Sequence, residues 1–264
     1  MALTTMDCGR NQLTALDVSA NTVLTELYCN ENDLTSLDVS ANTALTKLDC
    51  GSNSLTSLDI SNNTGLTYLD CNGNSLTSLD ISNNTGLTNL RFAYNGVTSL
   101  DVSNHTALEF LYCGPNPLTV LDVSNNTALT GLSCGYNQLT SLDVSSNTAL
   151  ISLYCEGNSL TSLDLSHNTA LESLNCTHNY LTSLDLSNNT ALTYLVCYDN
   201  SFCCIQLDPS HVSYANQHWD NTVYNSTDNG VIFSDDCGSS SAGPVILSAE
   251  PDDVPEGQEE ISIT

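Results

Sequence analysis
Along most of the chain, apolar and polar residues follow one cycle of 21 positions. From Leu3 it reads L-T-x-L-x-C-x-x-N-x-L-T-S-L-D-V-S-x-N-T-x, and ten copies of its first half begin at Leu3, Leu24, Leu45, Leu66, Leu87, Leu108, Leu129, Leu150, Leu171 and Leu192. Inside each first half the apolar residues alternate with polar ones, the period of a strand buried on one side. Leu69-Asp70-Cys71 is one such strand, with Leu69 and Cys71 predicted inward and Tyr68, Asp70 and Asn72 on the exposed face. In the second half Leu79 and Ile81 alternate with Ser78, Asp80 and Ser82. β-Branched Thr and paired Asn leave little room there for helical turns, so an extended return is predicted. A unit this short buries its leucines only against a neighbouring unit, so the coils must stack.

The first half matches the leucine-rich-repeat consensus with Cys in place of its third Leu. The expected fold is a leucine-rich-repeat solenoid, with a parallel β-sheet on the concave face, an extended or irregular convex side with little helix, and a cap at the C-terminus. Residues 1–202 carry the repeats, 203–237 the cap, and 238–264 a linker and a further segment. Asn11, Asn32, Asn53 and their equivalents to Asn200 fall where each coil leaves its strand, and their amides are expected to satisfy backbone groups of adjacent turns.

Nine cysteines, Cys8, Cys29, Cys50, Cys71, Cys113, Cys134, Cys155, Cys176 and Cys197, share one inward column, with Phe92 in the gap. Parallel side-chain vectors about 4.8 Å apart suit packed free thiols better than disulfides or a converging metal site. Cys203, Cys204 and Cys237 lie outside the repeat, in a segment that changes to C-C-I-Q-L-D, carries Trp219 and closes on V-I-F-S-D-D-C. This reads as a cap clipped by one disulfide, with Cys204 and Cys237 the preferred pair, and it suits an oxidising compartment.

The repeat and its cysteine column resemble the cysteine-ladder internalins, a family of bacterial surface adhesins. Cys204-Ile205-Gln206-Leu207-Asp208, with Trp219 and Phe233-Ser234-Asp235-Asp236-Cys237, resembles the C-terminal cap of secreted bacterial leucine-rich-repeat proteins. After the linker 238–243, Pro244 to Pro251 and Glu256 to Thr264 resemble the first two strands of an Ig-like module of the IPT/TIG type. The resemblance implies a secreted or cell-surface binding protein without enzymatic activity, continuing into further extracellular domains.

Charge narrows the partners. Three Lys and Arg stand against 30 Asp and Glu, a formal charge of −27, which excludes nucleic acid and anionic membrane surfaces as partners. No apolar run approaches the roughly 18 residues of a membrane span, and the start lacks a basic region followed by an apolar one, so the chain reads as a fragment without its signal and N-terminal cap.

Function is sought where the repeat breaks. Tyr68, Arg91, Tyr94, Phe110, Tyr112, Tyr136 and Tyr154 are the bulky residues among otherwise small or polar exposed positions, and they are expected to form one concave patch for a protein or carbohydrate ligand. Phe92, Val97, Pro115 and Pro117 extend the break into the core and edge. On the opposite side Asp17, Asp38, Asp59, Asp80, Asp101, Asp122, Asp143, Asp164 and Asp185 form a column flanked by Thr and Ser. Their mutual repulsion is expected to be offset by local Ser, Thr or backbone donors. A surface binding ions, ice or matrix is the alternative; no cofactor is expected, and calcium is the one ion this column could attract, although the motif lacks a glycine-punctuated calcium loop. The histidines are scattered, with His105 and His167 read as sharing one variable column, and no catalytic triad, phosphate loop or zinc spacing is legible.

Overall fold
The computed structural model describes residues 2–218 and 232–237. Trp219, the linker and the segment resembling an Ig-like module lie outside the described residues. Each repeat forms one three-residue strand: β1 (Thr5–Asp7), β2 (Glu26–Tyr28), β3 (Lys47–Asp49), β4 (Tyr68–Asp70), β5 (Asn89–Arg91), β6 (Phe110–Tyr112), β7 (Gly131–Ser133), β8 (Ser152–Tyr154) and β9 (Ser173–Asn175). The return segment of the ninth coil forms β10 (Leu184–Leu186), and the tenth coil supplies β11 (Tyr194–Val196). Strands β1 to β9, followed by β11, make one ten-stranded parallel sheet. The strands begin one residue earlier than expected, so Tyr68 rather than Cys71 is a strand residue. The inward column is unaffected: Leu69 and Cys71 are both fully buried.

The convex side is irregular apart from β10, as the Thr- and Asn-rich return predicts. Beyond the last repeat come β12 (Cys204–Leu207), α1 (Pro209–His218) and β13 (Ile232–Ser234). β12 pairs in parallel with β10 on one side and β13 on the other, so these strands extend the convex face rather than the concave sheet. Ile205, Leu207, Ala215 and Phe233 continue the core beyond the last leucines, and Cys204 and Cys237 form the expected disulfide.

Two asparagine ladders hold the coils in register. In the expected one, Asn53 Nδ2 donates to the carbonyls of Cys29 in the preceding coil and Cys50 in its own, each at 3.1 Å, while Asn53 Oδ1 accepts from Leu34 N–H at 3.0 Å. The second, the Asn of S-x-N-T, is more deeply buried: Asn63 Nδ2 donates to Val39 O at 3.0 Å and Asn42 O at 2.9 Å. His105 occupies this buried column and His167 the exposed one beside it, so the two do not share a column as expected; one residue of register separates them. His105 Nε2 lies 3.1 Å from Ile81 O, in the place of the amide.

The cysteine column is a ladder of free thiols, and all its members but Cys8 are buried. Burial pushes Cys29 and Cys113 up to about 12. Phe92 completes the line without any exposure.

Candidate functional site
Strand register decides which exposed residues meet. The first strand position aligns Tyr68, Asn89, Phe110 and Gly131 across β4 to β7. The third aligns Asp49, Asp70, Arg91, Tyr112, Ser133 and Tyr154 across β3 to β8. Tyr68, Arg91, Phe110, Tyr112 and Tyr154 therefore lie on two adjacent columns of the concave face, and all five are half-buried. Bulky side chains lean onto small neighbours. Phe110 lies over Gly131, where a Cβ would come within 2.8 Å of its Cδ1. Tyr154 is anchored to Ser173, hydroxyl to hydroxyl, at 3.0 Å.

One end of this strip is acidic. Asp49 and Asp70 are register partners whose Oδ1 atoms converge over Gly51, 3.4 and 3.2 Å from where a Cβ there would stand. Burial, and then the Asp70 charge, push Asp49 up to about 6, and burial likewise raises Asp70 against the lowering pull of Arg91. Tyr68, its hydroxyl 3.5 Å from Asp70 Oδ2, is pushed up to about 12 by burial and by that carboxylate. Past Tyr112 the Glu156 carboxyl lies against Gly135, its Oε2 buried without a hydrogen-bond partner, and burial raises it too. These inward-leaning acids were not singled out from sequence, although each occupies an exposed position of the strand or its exit.

On the convex side the acidic column is satisfied locally. Asp59 Oδ1 accepts from Ser61 N–H at 2.9 Å, and the same bond recurs from Asp17 to Asp185. Hydrogen bonds from the serine two residues on lower the Asp59 and Asp122 carboxyls, among others.

Residues 158–173 match the Leucine Rich repeat family, and residues 109–137 match the LVIVD repeat family. No curated protein matches the chain. Among solved structures it is similar to the functional domain of InlJ from Listeria monocytogenes, which includes a cysteine ladder: 37% identity, TM-score 0.65, covering 76% of this chain and 55% of that one. The chain is a leucine-rich-repeat solenoid, and in sequence and fold it is similar to this cysteine-ladder internalin. It also resembles the internalin InlF of Listeria monocytogenes, at 25% identity and TM-score 0.60, over 82% of this chain and 71% of that one. A leucine-rich-repeat protein of Leptospira interrogans shares the fold at 23% identity and TM-score 0.69, over 75% of this chain and 57% of that one. The chain spans little more than half the length of the InlJ functional domain and of the Leptospira protein.

In this internalin-like solenoid the expected seven-residue patch divides. Tyr94 and Tyr136 are not on the sheet; they stand in the turn that follows each strand, with φ of 53° and 52° and exposures of 61% and 54%. The physical reason is that the three-residue strand ends before them, and the left-handed turn carries their side chains to the flank. Among the described residues no helix is long and apolar enough to cross a membrane.

Proposed function
We propose that this solenoid is an extracellular, non-enzymatic binding module that recognises a protein ligand through its concave sheet. The observation that carries this reading is the register alignment of Tyr68, Phe110, Arg91, Tyr112 and Tyr154 on neighbouring strands. Tyrosine and arginine, held half-buried on a rigid sheet, are the residue types that dominate protein-binding hot spots, because they bring large contact area at small cost in side-chain freedom. The acids at the edge of the strip and the net charge of −27 favour a ligand with a neutral or basic face. An oxidising, extracellular setting accords with the Cys204–Cys237 disulfide, and attachment to further extracellular domains accords with the segment after residue 238.

The convex alternative has less support: each carboxylate of the Asp column already accepts serine donors, which accounts for its regular spacing without an ion, ice or matrix.

A screen of the chain against arrayed host and matrix proteins and glycans, with and without calcium, tests the reading. A protein hit lost in a Tyr112→Ala/Tyr154→Ala variant is expected. A calcium-dependent hit that this variant keeps would transfer the function to the convex face.

A further inference from the structure
We propose that a second, independent site lies on the flank of the solenoid, where Tyr94 and Tyr136 grip a neutral β-linked polysaccharide running along the solenoid axis. One column of residues, the third after the end of each strand, takes the left-handed conformation in nearly every coil. Gly73 and Gly157 occupy it at φ of 61° and 64°, and Arg10, Glu31, Ser52, His178 and Asp199 do so as polar residues. Glycine and short polar residues suit that conformation, and an aromatic side chain does not.

At Tyr94 and Tyr136 the backbone strain is not offset by burial, since both rings are mostly exposed. Folding alone does not favour tyrosine at either position.

Between them lies Pro115, and the rings flank an open groove whose other walls include half-buried Pro117 and exposed Gln138. Tyr136 is held in place from behind: its ring rests on Gly157 of the next coil, where a Cβ would stand 2.6 Å from Cδ1. The amides of Asn116 and Asn137 belong to the ladder and face inward. No lining residue is charged, in a chain carrying 33 charged side chains. An anionic ligand therefore finds no counter-ion there and is also repelled by the whole molecule.

Backbone donors are committed as well. Tyr94 N–H donates to Pro115 O at 2.8 Å, Tyr136 N–H to Glu156 O at 2.7 Å and Gln138 N–H to Leu118 O at 2.8 Å, and the two prolines have none. An extended peptide would find none of these three N–H groups free to pair with. What remains is two aromatic platforms, their hydroxyls and one amide side chain. Their backbone positions are two coils apart, about 9.6 Å at the usual strand spacing. In a β-1,4-linked pyranose chain alternate sugars present the same face, so rings so placed can stack under every second sugar while Gln138 and the tyrosine hydroxyls meet the sugar hydroxyls.

Isothermal titration of the whole chain with cellohexaose, xylohexaose and mannohexaose tests this, with maltohexaose and a polyproline decamer as controls. Binding of at least one β-1,4 hexasaccharide but neither control is expected. Tyr94→Asn and Tyr136→Asn should each weaken it at least tenfold without lowering the melting temperature, since asparagine tolerates the left-handed turn. Tyr68→Ala on the concave sheet should leave it unchanged, which separates this site from the protein-binding reading. Absence of binding to all three sugars, full binding by the Tyr94→Asn/Tyr136→Asn double variant, or binding of polyproline in preference to the sugars would each overturn the proposal.

Discussion
The side chain of Asn84 reaches back 24 residues to donate to the carbonyl of Ile60 at 3.1 Å, without touching solvent. Its second amide hydrogen bond goes to Asn63 O at 2.9 Å. One side chain thus ties the return segments of consecutive coils on the convex side, where no continuous sheet exists to do so.

Asn84→Ala should therefore destabilise the solenoid by about 1–3 kcal/mol, because it removes two buried hydrogen bonds, although both carbonyls keep a backbone donor, Ile60 O from Asn63 N–H and Asn63 O from Leu66 N–H. Asn83→Ala, one residue away but exposed, should change stability by less than about 0.5 kcal/mol. Urea denaturation of both variants makes the comparison.

At His105 the same ladder is interrupted: Nε2 keeps the contact with Ile81 O, and Nδ1 is buried without a partner. His105→Asn restores the residue found in the neighbouring coils, Asn84 and Asn126. A gain of about 1 kcal/mol is expected from the added hydrogen bond to Asn84 O alone, because Oδ1 of Asn84 and Asn126 is buried without a partner just as His105 Nδ1 is; no gain in the urea midpoint would show that the coil has adapted around the imidazole.

The two acidic faces should respond to pH in opposite senses. Asp49 titrates at about 6, raised by burial and by Asp70, so the folded state holds that proton more tightly than the unfolded chain does. Stability is therefore gained as pH falls from above 6 toward the unfolded value of about 4. The convex carboxyls, Asp17 and Asp38 among them, are lowered by their serine hydrogen bonds, so their contribution is present above the unfolded value and lost as pH falls through the folded one. Thermal melts should show stability rising from pH 7 to about 5 and declining below about 4. Part of the rise reflects relief of general charge repulsion, so the specific check is Asp49→Asn, which should flatten the rise and leave the acid limb in place.

The thiols should report the ladder directly. Among the described residues, Cys203 is exposed, Cys8 is partly exposed, and the other eight free cysteines are buried with strongly suppressed thiolate character. A thiol reagent should titrate one fast equivalent from Cys203 and one slower one from Cys8, and the remaining eight only after denaturation. Fast reaction of more than two equivalents in the native protein would contradict the buried ladder.

Much of this architecture is legible in the sequence. The leucine columns, the thiol ladder, the first asparagine ladder and the local pairing of the convex aspartates all follow from identical residues recurring at identical positions, since a contact that suits one coil suits the next. The second asparagine ladder was equally visible, as the Asn of every S-x-N-T, but His105 obscured it by interrupting the column by one residue. The inward lean of Asp49, Asp70 and Glu156 was not, because it depends on glycines of neighbouring coils that the 21-residue pattern treats as free positions.

The sequence by itself determined the period, the inward columns and therefore the solenoid, because a 21-residue unit with four or five buried leucines has no other way to cover them. Only the tertiary structure decided which irregular residues share a surface. Whether a tyrosine near a strand end joins the concave sheet, as Tyr112 does, or turns to the flank, as Tyr94 and Tyr136 do, depends on where a three-residue strand ends and a left-handed turn begins. That boundary is set by backbone hydrogen bonds between coils, which the sequence of a single coil does not contain.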